Sequence, residues 1–513
     1  MVLATIADND FHKLIAKRSR PLLGLVKRLS QCKSSSEIMV RPFLGELFSQ
    51  STQLEELLDA YGAGSNCQWC ALRSLTAAIK HFSDASYELL HIRHSLPAYR
   101  LLPIEQDFVK VTEETLEFTF DVLFRAAKQM LIWAGQHGLS IPSKRLPERS
   151  YTEELPAGQL PRHCQTRRIE TVSETVTLLT TAFLNLAAES KDVRTASLAK
   201  PEEYASYASD LVSEEKLRSL ELRFHNLQSL YDTYVSGTEA EQMDKDLPVL
   251  RGHISVVFHL LRTATLFAHH YERHVIKSPC DLPGRQEPLV KAEALLAILM
   301  NYSVTHIGLY INCAEHLCHE MLKRYAEVGQ IEVNVPPYRG FHVRPCTLIS
   351  KLARHYGSEV RMELDNEVYN AGSPLELFRA NEKINAQKRR WLASEIVRLK
   401  LAEESAGQKG IDTIIRGVVL TLAEQSQLII YEQPLQLPEE PARKEGTLLE
   451  KITDEMARLL ALGKIDIEAD LTVTFIGDKR VLADIKLLAE SGYGEDNFGN
   501  NIPLPEKLKY LRR

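Results

Sequence analysis

The chain has 513 residues, 44% hydrophobic and 25% charged, which are the proportions of a folded globular protein and exclude a disordered or collagen-like chain. Lys+Arg 62 against Asp+Glu 68 leaves a formal net charge of −6, and a general nucleic-acid binder would need a basic surface, so nucleic acid is not an expected partner. Eight cysteines are too few for a disulfide scaffold, and a long cysteine-poor chain reads as cytoplasmic.

Val2 to Ala7 is too short for the hydrophobic stretch of a secretory signal, and Asp8 and Asp10 follow at once. Helical periodicity then recurs over about 8–32, 38–60, 66–95 and 105–136, the last carried by Phe108, Val111, Leu116, Phe120, Leu123 and Phe124. The interval around Pro142, Pro147, Pro156 and Pro161 has little periodicity and reads as a linker or long loop. Helices resume over about 169–188, 203–235, 246–276 and 288–327. The domain reading is therefore a helical region at 1–140, a linker at 141–167 and a helical bundle region at 168–328.

Ala294 to Ala314 contains no charged side chain and is long enough to span a bilayer. It also carries Asn301, Ser303, Thr305, His306 and Asn312, which suit a buried central helix better than a lipid-facing one, so no membrane span is expected.

The texture changes after Gly329. Ile331, Val333 and Val335 alternate with polar residues as in a half-buried strand, and a helix follows over about 344–356, closed by Gly357. Val360, Met362 and Leu364 mark a second strand, Asp365-Asn366 a turn, and Val368 to Asn370 a third strand. Ser373-Pro374 starts a helix that runs on through Trp391 and Arg398. Further segments follow at 411–425 (helix), 427–432 (extended), 434–442 (Pro-rich loop) and 446–462 (helix). Leu471 to Ile476 then supplies a fourth strand, with a helix at 478–491. The order is β-α-β-β-α-insertion-β-α: a domain at 329–384 plus 469–495, interrupted by an insertion at 385–468.

The sharpest local feature is Gly340-Phe341-His342-Val343-Arg344-Pro345, at the junction of the first strand and first helix. His342 falls at the N-cap, where unpaired amides and the positive dipole end favour an anion. Arg344 adds a fixed cation whose donors match phosphate oxygens. Gly340 permits close backbone approach, and Pro345 sits in the first turn, where its missing N–H costs nothing. Imidazole is a competent phosphoryl nucleophile at neutral pH, so these residues meet the requirements for a phosphohistidine.

The motif G-x-H-x-R-P at Gly340, His342, Arg344 and Pro345, with that element order, resembles HPr, the histidine-containing phosphocarrier family of the bacterial phosphoenolpyruvate-dependent phosphotransferase system. The resemblance covers about 330–384 and 470–491 and leaves the first 328 residues unaccounted for. Together with the helical periodicity of the first 328 residues, it makes the expected fold a mainly α chain in which a large N-terminal helical bundle region precedes an α+β HPr-like open-faced sandwich with a mostly helical insertion. His342 would accept a phosphoryl group from an enzyme I-like donor, Arg344 would stabilise it, and an unknown protein acceptor would remove it. The chain would be a carrier rather than a turnover enzyme, without a cofactor. Ser373 lies where the family's regulatory phosphoserine occurs, and is equally an N-cap. Leu375, Leu377 and Phe378 either face partners or pack under the insertion. Arg339 brings a second cation to the loop, and Cys346 replaces a usual small residue. The alternative is a non-phosphorylated HPr-like scaffold that binds partners through its helical region, which could also support a homo-oligomer.

Weaker constellations carry less. Cys67-Gln-Trp-Cys70 lacks a second pair at zinc-finger spacing and a redox-motif setting. His270 with His274, Glu315 with His319 and His316 with Glu320 are spaced one turn apart, but nothing in the sequence shows that their helices face one another, so no metal is expected. Lys388-Arg389-Arg390-Trp391 reads as part of a mixed, solvated helix face.

Overall fold

Apolar side chains three and four residues apart make most of this chain helical, because such spacing gives each helix one stripe to bury. In the computed structural model, 72% of the structure is helix and 7% strand, a mainly α chain with a C-terminal α+β region. The residues described are 5–142, 171–276, 288–400, 410–425, 427–431, 434–437, 445–467 and 471–512. Most of the expected linker at 141–167 and of the Pro-rich loop at 434–442 lies outside them.

The chain divides into two compact units, Met1–Cys318 and His319–Arg513. In the first, the helices Arg41–Ala60, Cys70–Tyr99 and Phe108–Gln136 pack beside Asp246–His270 and Glu214–Tyr234. Helices from both sides of the 143–170 interval thus share one core, lined by Leu72, Ile79, Phe82, Leu123, Leu261 and Phe267. Gly252 lets two of them approach closely, since a Cβ there would overlap the carbonyl of Tyr99.

Local chemistry explains the breaks. The segment expected as one helix at 8–32 is two, Asp8–Arg18 and Arg20–Gln31, because Pro21 cannot donate into a continuing helix. The 203–235 segment also divides, and Glu214 and Glu215 open the new helix with the charges its N-terminus favours. The Val172–Glu189 helix begins with a reciprocal capping box between Thr171 and Glu174.

The helical stretch Ala292–Arg324 is long and apolar enough to cross a membrane by composition, and 67% of its apolar window is buried in the protein. Several of its polar groups find partners there: Tyr302 meets the hydroxyl of Thr112 at 3.1 Å, and His306 Nδ1 lies 2.6 Å from the carbonyl of Tyr302, while Ser303 Oγ and His306 Nε2 are buried without a partner. This is the pattern of a core helix.

The second unit contains six described strands: β1 (Val328–Asn334), β2 (Val360–Leu364), β3 (Glu367–Asn370), β4 (Leu428–Ile430), β5 (Ile465–Ile467) and β6 (Thr472–Asp478). Four form an antiparallel sheet in the order β1-β6-β2-β3. Val360, Met362 and Leu364 are buried while Arg361 and Glu363 are exposed, so one sheet face is covered and the other open. Phe475 on β6 stands opposite both Ile331 and Met362 and reaches the ring of Phe341. Asp365 and Asn366 both take positive φ, as a two-residue hairpin turn requires.

The insertion begins inside one continuous helix, Pro374–Arg398. It has its own apolar cluster, including Leu392, Ile396, Ile415, Val418, Leu422, Met456 and Leu459, and pairs β4 with β5. β5 was not anticipated, because Ile-Asp-Ile is too short to show periodicity. After the Lys479–Glu490 helix, turns at Gly492, Gly494 and Gly499 lead to a 3₁₀ segment at Glu506–Arg512. Leu504, Leu508 and Leu511 anchor this terminal segment by burial.

Candidate functional site

His342 is the N-cap of the Val343–Tyr356 helix, as its sequence position suggests, with extended backbone geometry and no side-chain capping bond of its own. Arg339 and Gly340 precede it in the left-handed region, at φ 55° and 61°. Asn381 enforces this turn: its side-chain oxygen accepts from the amide of Phe341 at 2.8 Å, and its amide donates to the carbonyl of Arg339 at 3.1 Å. A Cβ at Gly340 would collide with that oxygen, so glycine is required by both conformation and space.

Asp466, from β5 of the insertion, braces the same loop. It accepts from the backbone amides of Arg339 (3.1 Å) and Ile467 (2.7 Å) and from the ammonium of Lys388 (2.7 Å). Lys388 and Asp466 are both buried, so this lysine is not on a solvated face as the charge run suggested. Taking that ammonium out of water is offset only by a partner of this kind. The side chain of Arg339 lies close against Gly463 of the insertion.

The imidazole of His342 is held at both nitrogens. Nδ1 lies 3.1 Å from the carbonyl of Gly340, and Nε2 lies 3.0 Å from Glu495 Oε2. Tyr338 stands edge-on to the ring, with centroids 5.4 Å apart. Arg344, in the first helical turn, donates through Nη1 to Asn501, and its Nε is 3.8 Å from Glu495. That Nε is buried without a hydrogen-bond acceptor. The motif thus brings His342 and Arg344 to one place, and the terminal segment adds Glu495 and Asn501, which the sequence reading missed. The available signal was the turn-rich Gly492-Tyr-Gly-Glu-Asp-Asn-Phe-Gly499, an acidic loop following the last helix.

Pro345 is buried in the first turn, and Cys346 beside it is inert: burial pushes its thiol up to about 12, and Sγ donates to the carbonyl of Phe341. Ser373 caps the Pro374–Arg398 helix by accepting from the amide of Glu376. Leu375 is exposed, whereas Leu377 is buried.

The weaker constellations rearrange. Cys67 is a free, exposed thiol and Cys70 is disulfide-bonded, so these two do not make a redox dithiol. Glu315 pairs with Arg194 at 2.7 Å, and His319 Nε2 contacts the carbonyl of His355 at 2.9 Å, so neither joins His270 and His274. The histidines of 269–274 instead meet His81 on the Cys70–Tyr99 helix. No protein-family model, no curated protein and no solved structure matches this chain.

Proposed function

We propose that the C-terminal unit is an HPr-like phosphoacceptor in which His342 takes a phosphoryl group from a phosphohistidine donor such as enzyme I, then passes it on or signals with it. The observation that carries this reading is the buried Arg344 Nε without an acceptor, in the helix turn that His342 caps. An oxygen of an incoming phosphoryl group would satisfy that donor, in a place where first-turn amides already favour negative charge. A lone pair of the ring attacks phosphorus, the nitrogen–phosphorus bond of the donor histidine breaks, and its electron pair stays with the donor nitrogen, which takes a proton.

Both ring nitrogens face oxygen acceptors in the resting site, so one contact must open before attack. Glu495 belongs to the terminal segment, whereas Gly340 is locked by Asn381. On this proposal the resting site is that of a capped carrier. The same cap also fits the rival reading, an unphosphorylated scaffold.

Intact-mass analysis after incubation with phosphoenolpyruvate and enzyme I, with His342→Ala alongside, tests the proposal. An acid-labile phosphate absent from the variant supports it. No phosphate on the wild type, while an ordinary HPr is charged in parallel, favours the scaffold.

A further inference from the structure

In the first unit, the Cys70–Tyr99 helix carries His81, Asp84, Glu88 and His91 at spacings of three and four, a polar stripe on a helix packed into the core. Toward one end, the stripe neutralises itself: Glu88 bonds His259 at 2.7 Å, and Arg262 reaches Asp84 at 3.2 Å and Glu88 at 3.1 Å. The other end is different. The ring of His81 has those of His269, His270 and His274 around it, with centroids 4.6, 5.6 and 5.1 Å away.

A local irregularity makes this convergence possible. Side chains five residues apart on an α-helix point about 140° apart. Residues Tyr271–Ile276 form a π-helical turn, whose wider winding brings His274 back beside His269. Potential ligand atoms of His81, His269 and His274 all lie within 4.8 Å of one another.

We propose that His81, His269 and His274 bind a borderline divalent ion of the first transition row, with zinc the best fit, and that His270 supports His81 from outside. Nitrogen-only ligation by three neutral imidazoles with one position left open suits such an ion. Each ring has a neighbour at Nδ1: Glu214 for His269 (3.0 Å), His270 for His81 (3.3 Å) and Arg73 for His274 (3.2 Å). Nε2 is thereby left as the ligating nitrogen of each. The Glu214 carboxylate stands 3.0 Å from His269 Nδ1 without forming a hydrogen bond to it, so it is placed to support that ring once a metal fixes its orientation.

One neighbour opposes the metal. Arg73 donates to His274 Nδ1, which keeps a proton on Nε2, although Arg73 is also held by Asp59 at 2.7 and 2.9 Å. Metal entry shifts that proton from Nε2 to Nδ1, which keeps the ring neutral and frees the Nε2 lone pair, and the guanidinium moves off Nδ1 onto Asp59. Glu55 lies nearby and pairs with Lys80 and Arg73, so the surrounding charge is close to balanced.

The test is titration of the chelator-stripped full-length chain with zinc alone, and with cobalt as a spectroscopic reporter. One ion per chain with a tetrahedral cobalt spectrum is expected. His81→Ala should abolish the spectrum, and Glu214→Gln should weaken binding by about 10- to 100-fold. Arg73→Met, which removes the competing donor, should tighten it. His342→Gln should leave it unchanged. Circular dichroism checks that each variant is folded. Absence of a bound ion in the wild type, or equal binding by folded Glu214→Gln, Arg73→Met and wild-type chains, overturns the proposal.

Discussion

Replacing Glu495 should speed phosphorylation of His342. The Glu495 side chain is 9% exposed and that of His342 22%, so their 3.0 Å contact is largely shielded from solvent. A hydrogen bond to a charged group in such a setting is worth about 1.5–2 kcal/mol. Opening it before attack slows the reaction by the same amount, or about ten- to thirtyfold. Glu495→Gln keeps the shape and removes the charge, while Glu495→Ala removes the contact altogether. The assay is the initial rate of phosphoryl incorporation at limiting enzyme I, followed by rapid quench and intact mass. Both variants should charge faster than the wild type, with thermal midpoints little changed because Leu504, Leu508 and Leu511 still anchor the segment. A lower rate in both folded variants would refute this reasoning and recast Glu495 as a group that orients the ring for attack.

Three further outcomes follow from the packing. Lys388→Met strands the Asp466 carboxylate in the interior with only two backbone donors and should cost about 3 kcal/mol in a denaturant melt, part of it recovered by adding Asp466→Asn. Gly340→Ala should cost about 1–3 kcal/mol from its positive φ and collision with Asn381, whereas Gly64→Ala, which meets nothing within 4 Å, should be nearly neutral in the same melt. Burial holds the imidazole of His355 down to about 4, helped by neighbouring His319, and burial beside His259 does the same for His91. Unfolded histidine takes its proton near pH 6.5, so between there and about pH 4 the unfolded chain binds more protons and stability falls with acidification. Thermal midpoints at pH 8, 7, 6 and 5 check this, and His355→Gln should flatten the decline. An unchanged slope in that variant would exclude His355 as a contributor.

Much of the architecture is legible in the sequence because local periodicity and end signals encode it. The helix after His342 ends at Gly357, whose φ of 60° suits its position as C-cap. The strand built on Val360, Met362 and Leu364 has the expected buried and exposed sides. What escaped detection depends on approach in three dimensions. Lys388 looks solvated among Arg389, Arg390 and Glu382, and only Asp466, 78 residues away, explains its burial. The π-helical turn had the same effect in the first unit. Assuming α geometry paired His270 with His274, whereas the extra residue in the turn also gathers His269, and His81 comes from a helix nearly two hundred residues earlier.

The two sets of contacts around the His342 loop differ in how readily they can yield. Asn381 and Asp466 grip backbone amides from buried positions, and Asp466 is itself fixed by a buried lysine. Releasing either would strand buried polar groups, a cost of several kcal/mol in all. The Glu495 side chain, although only 9% exposed, and exposed Asn501 reach only the side chains of His342 and Arg344 and hold no backbone amide of the loop. On the phosphoacceptor proposal, a donor that engages the terminal segment would uncover His342 and Arg344 without disturbing the turn that aims them. On this account the insertion and the terminal segment divide the work: one fixes the geometry of the loop, and the other controls access to it.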